Sequence, residues 1–152
     1  MSNKVIKTIY DNIKTKLLDS QSEGLLHYVK YIYGGQADRI YEQKDCPAIH
    51  MIIKNGSLQK VNINQIDATV AIEIIILNKI ASQEDKYFDS EGKGIVNDIT
   101  NVLNVLFDDY NMGLDCAKVP EINWSIEEVE DDFMRAIIPL SQESLNFIPG
   151  NF

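Results

Sequence analysis

Side chains able to do chemistry are few in this chain and stand far apart. The histidines are His27 and His50, and the cysteines are Cys46 and Cys116. Neither histidine has a Cys, a second His or a carboxylate at a metal-ligand spacing. Cys46 and His50 lie four positions apart, but across a loop running into a strand, where side chains alternate with period two. A Cys–His nucleophile pair is formally available, yet nothing flanking either cysteine resembles a nucleophile motif, and no serine sits in a G-x-S-x-G setting. Glu91-Gly-Lys-Gly94 ahead of a helix is reminiscent of a phosphate loop. It lacks the second spaced glycine and the Ser or Thr that phosphate and Mg²⁺ require, so a plain helix approach is the simpler reading.

The densest charge is acidic. Glu127, Glu128, Glu130, Asp131 and Asp132 place five acids within six residues. A Ca²⁺ loop needs alternating acids around a central glycine, and this run has no glycine. It reads either as a solvated tip or as a projecting negative surface that lines a pore or meets a basic partner. Like charges so close require water, a cation or basic neighbours. Glu73 interrupts an apolar strand, so it faces outward, reaches a rim, pairs with a cation, or sits at a subunit contact. Arg135 holds the analogous place in the last strand, and a Glu73–Arg135 pair, across strands or across subunits, is permitted by that placement. Acid, base and nucleophile do not cluster, so the chain is not expected to be an enzyme, and no cofactor or metal is implied.

The elements that must carry these residues are clearer. The 152 residues suit a single domain, and 45% apolar content supplies a core without metal or disulfide. Two cysteines are too few for a disulfide scaffold, so reduced thiols are expected. A net charge of −9 argues against a surface that wraps duplex DNA, because such binding rests on Lys and Arg neutralising phosphates. The start has no apolar run of signal-peptide length, and no stretch approaches the ~20 residues that span a bilayer. The expectation is a cytoplasmic protein, or one in a particle assembled there, with no membrane partner.

Val5, Ile6, Ile9, Ile13 and Leu17 share one helical face. Leu25, Leu26, Val29 and Ile32 resume helical spacing until Gly34-Gly35, although Tyr28, Tyr31 and Tyr33 also suit a strand. The predicted helical region is therefore 4–34. Pro47 opens a strand, Asn55-Gly56 signals a hairpin turn, and Val61 and Ile63 form a short return. Asp67–Asn78 is β-branched and the strongest strand, giving a hairpin region of 47–78. Ile95, Ile99, Val102, Leu103 and Leu106 mark a helix over 92–108. Ile122, Trp124 and Ile126 alternate with polar residues, which predicts a closing hairpin over 119–142 with the acidic run at its tip. The fold class is α+β: a mostly antiparallel sheet of four to five strands with helices packed on one face. The other face needs polar residues or a neighbouring subunit to cover it.

The N-terminal helical region, the Pro47-Ala48-Ile49 strand opening, the β-branched Thr69–Leu77, the helix Ile95–Phe107 and the closing Arg135-Ala-Ile-Ile-Pro-Leu140 together resemble the tail-terminator or tail-completion proteins of long-tailed phages, and the related neck proteins. The resemblance spans about residues 4–142 and rests on element order and strand character. It implies a small α+β subunit of a ring, typically a hexamer, that caps the tail tube, stops its growth and docks to head-connector proteins. DNA would pass through the lumen without specific binding. An acidic lumen suits that role, since each attractive Lys or Arg would hold the polyanion back. The alternatives are a monomeric acidic module presenting Glu127–Asp132 to a basic partner, and a small enzyme whose groups meet only in space.

Overall fold

The computed structural model describes residues 5–35, 45–63, 65–80, 84–106, 117–118 and 122–147. Helix α1 spans Val5–Glu23. Ile9, Ile13 and Leu17, four apart, are fully buried, while Lys7 and Asp11 on the outer side form an i,i+4 ion pair. The helix runs on through the polar residues Ser20–Glu23, because nothing there is a helix breaker before Gly24. The amide of Gly24 bonds the Ser20 carbonyl at 2.8 Å, and the Leu26 amide bonds Ser20 Oγ at 3.2 Å.

The second predicted helix does not form. Residues 24–28 make a turn, and Tyr31–Gly34 is a strand, β1. Leu26 and Val29, three apart, are both buried, but through a turn closed by the Val29 amide on the Leu26 carbonyl at 3.0 Å. The Tyr-Ile-Tyr segment then follows its strand propensity and pairs parallel with the next strand. Gln21 Nε2 bonds the Val29 carbonyl at 2.9 Å, which holds the chain in this turn.

Strand β2 is Ala48–Asn62 and β3 is Gln65–Lys79, paired antiparallel from Ala48↔Leu77 to Asn62↔Gln65. The reversal therefore falls at 62–65 and not at Asn55-Gly56. That dipeptide sits inside β2 beside a bulge between Ile53 and Asn55. Its glycine is needed for closeness of backbones: a Cβ at Gly56 would lie 2.9 Å from the Thr69 carbonyl oxygen. Val61 belongs to the outgoing strand, not a returning one.

Helix α2 is Ile95–Leu106, shorter than the predicted 92–108 at its start because Gly92 and Gly94 adopt φ of 78° and 136°. Strands β4 (Ala117–Lys118), β5 (Ser125–Val129) and β6 (Phe133–Phe147) complete the sheet. A short 3₁₀ turn, Glu130–Asp132, links β5 to β6. β6 extends past the predicted end at 142, and β5 begins later than 119.

Among the described residues the result is one mostly antiparallel sheet of six strands in the order β1-β2-β3-β6-β4, with β5 on the same side of β6 as β4; of these strands only β1 is parallel to its neighbour. The fold class is the α+β arrangement read from the sequence, with more strands than the four to five expected. β3 is central. Its Ala68, Val70, Ile72, Ile74 and Ile76 point into the core shared with α1 and α2. Alternate residues Thr69, Ala71, Glu73, Ile75 and Leu77 face the other side and are half-buried. A smaller cluster on that side joins Cys46, Ala48 and Phe133 to Tyr31, Tyr33, Leu77 and Val129. Cys116 and residues 119–121 lie outside the described residues.

Candidate functional site

The acidic run is the tip of the β5–β6 hairpin. Glu127 and Glu128 belong to β5, Glu130, Asp131 and Asp132 to the 3₁₀ turn. Asp132 has φ of 65°, the left-handed region a short polar residue tolerates, and it turns the chain into β6. Among the described residues, two cations attend the tip. Glu127 pairs with Arg135, its cross-strand partner in register. Lys86, from the segment before α2, bonds Glu128 at 2.9 Å and lies 3.6 Å from Asp132. The hydrogen-bonded Glu128 raises the Lys86 pKa. Two bases against five acids leave the tip negative. Lys86 carried no signal in the sequence, since it lies far from the run it neutralises.

Glu73 and Arg135 do not pair within the chain. In register Glu73 faces Pro139, whereas Arg135 faces Leu77, four residues further along β3. At ~3.3 Å per residue that separates them by roughly 13 Å. Glu73 is part-exposed and lies 3.8 Å from Lys54 on the neighbouring strand. Of the expected dry row, Ile122 and Ile126 pack on the core while Trp124 is 46% exposed.

A second polar constellation lies where α2 meets the turn after α1. Asp98, on the buried face of α2, is only 3% exposed. Its carboxylate accepts bonds from Tyr28 Oη and Asn78 Nδ2, each at 2.8 Å. Asn101 Nδ2 donates to the Tyr28 oxygen at 3.0 Å. Burial pushes the Asp98 carboxyl up to about 6, against the two hydrogen bonds that lower it. Burial and the adjacent Asp98 also raise the Tyr28 phenol. The group borders a cavity of about 610 Å³ with His27, Lys93 and Asn97 on its walls. Sequence reading passed over Asp98, although a carboxylate among Ile95, Ile99 and Val102 was the visible signal.

The phosphate-loop reading of Glu91–Gly94 fails on geometry. Asp89 Oδ1 accepts the Glu91 and Lys93 amides at 2.8 and 2.9 Å, so an internal carboxylate holds the donors a phosphate would use. Gly94 is fixed by proximity as well as by φ: a Cβ there would lie 2.4 Å from the Tyr87 carbonyl oxygen. Burial pushes the Cys46 thiol up to about 11, far from the lowered value of an activated nucleophile. His50 is buried and stacks on Tyr33 with ring centroids 5.7 Å apart. Among the described residues, no three His, Cys, Asp or Glu side chains gather as a metal-binding group. No helix among them is long and apolar enough to cross a membrane.

No family model matches the chain, and neither does any curated protein. Among solved structures, a chain from the virion of a native gene transfer agent particle is similar in fold, with a TM-score of 0.52 and 9% identity. The likeness covers 94% of this chain and 95% of that chain.

Proposed function

We propose that the protein is a structural subunit of a phage-like particle, and within it the tail terminator: a ring that caps the tail tube and joins tail to head. The supporting observation is the end-to-end similarity in fold to a chain of a gene transfer agent virion. The element order that suggested the phage tail-terminator family points the same way. The role is non-catalytic, and its partners are further copies of the chain, the tube protein below and connector proteins above. The net-negative tip Glu127–Asp132 suits a lumen through which DNA slides unbound. A hexamer is the stoichiometry the family resemblance implies.

Particle mass of the purified full chain, with negative-stain images, tests this reading. Rings of a single stoichiometry are expected. A strict monomer at high concentration overturns the reading and favours the acidic-module alternative, for which the uncompensated charge of the tip is the one supporting feature.

A further inference from the structure

The two edges of the sheet differ in length, charge and apolar content. β1 covers β2 only at Ala48–Met51, so from Ile52 to Asn62 no described strand pairs with the outer edge of β2. This edge, paired by no described strand, is long and contains Lys54 and Lys60 and no acid. It also exposes Ile53, Leu58 and Val61, each about half, and Ile63, just past the strand, is 82% exposed. Lys54, Lys60 and the bulges at Ile53/Asn55 and Lys60/Asn62 blunt this edge against indiscriminate pairing, while its exposed apolar side chains leave it suited to a partner of opposite charge. The opposite edge is β5, whose sequence Ser-Ile-Glu-Glu-Val carries two acids and no base. No described strand pairs with its outer side, and the exposed Trp124 adjoins it.

Resting on the ring reading, we propose that the outer edge of β2 in one copy adds to the β5 edge of the next copy. In an antiparallel register Lys60 then faces Glu128, and Trp124, four residues before Glu128, comes beside Ile63. The occupant is a second copy of this chain because one edge complements the other in both charge and apolar content. Two different edges of one sheet make a head-to-tail contact, which closes into a ring when the rotation permits. Pairing β2 with its own copy would set lysines against lysines and would stop at a dimer.

The test uses Lys60→Glu, Glu128→Lys and the double exchange, each checked for folding by circular dichroism. Glu128→Gln replaces Glu128→Lys if losing the Lys86 bond disturbs the tip. Particle mass and the emission of Trp124, the only tryptophan, are followed against concentration. Each single variant should raise the assembly midpoint by about tenfold or more, and the double exchange should bring it back. Emission should shift to the blue on assembly of the original chain and not in the single variants. Rings that persist unchanged in both single variants overturn the edge pairing but leave the ring reading intact, as do single-variant losses that the double exchange does not repair. A dimer disrupted by Lys60→Glu and indifferent to Glu128→Lys shows β2 meeting itself and also overturns it. An original chain that stays monomeric removes the ring reading itself.

Discussion

Asp98 is the residue whose chemistry reaches furthest into stability. Its ordinary value is 3.8 and burial lifts it to about 6. The folded state therefore binds a proton that the unfolded state has released between these values. Stability from this group is complete below pH 3.8 and is lost as pH rises through about 6. The difference amounts to about 3 kcal/mol at neutral pH. Urea unfolding of the original chain and Asp98→Asn across pH 4 to 7.5 should show the variant gaining on the original as pH rises; parallel curves would contradict it. Tyr28→Phe removes a donor from the same carboxylate and should cost about 1–2 kcal/mol at pH 7, read by the same unfolding curves.

At the scale of elements, two glycines decide local geometry. Gly94→Ala forces a Cβ against the Tyr87 carbonyl at a φ that L-residues avoid, and a loss of about 2–4 kcal/mol is expected from thermal or denaturant unfolding. Gly56→Ala meets the Thr69 carbonyl more gently, and about 1–2 kcal/mol should be lost. Gly56 also shows why the β2–β3 turn was misplaced from sequence. Asn-Gly is a local turn signal, but the same freedom serves a bulge, and the long β-branched partner from Ile66 to Ile76 kept pairing beyond it. Tyr31–Tyr33 was ambiguous because helical spacing and strand propensity coincide there, and the edge offered by β2 settled it. By contrast α1 and α2 were legible from periodicity, since Ile9, Ile13 and Leu17, or Ile95, Ile99, Val102 and Leu106, repeat with the helical period, and β3 was legible from its β-branched run. The acidic tip was legible as a hairpin end. Its partners were not: Lys86 comes from a distant segment, and the cross-strand Glu73–Arg135 pair that the one-dimensional pattern permitted is excluded by a register that sets them four residues apart.

For the whole molecule, what matters is what the sheet leaves uncovered. Helices α1 and α2 close one face, and the small cluster around Phe133 half-closes the other. Among the described residues, the outer half of β2 has neither a strand beside it nor a helix above it. Apolar side chains there meet water in a single copy, and strand addition from a neighbour would remove them from solvent. Assembly, on this account, is a continuation of the sheet across subunits. Hydrogen exchange at the amides of residues 53–62 tests this most directly, followed by mass spectrometry over a range of protein concentration. The account predicts that exchange slows in this segment as rings form, while the core of β3 stays protected throughout. Fast exchange at 53–62 that does not change between dilute monomer and concentrated ring would contradict it.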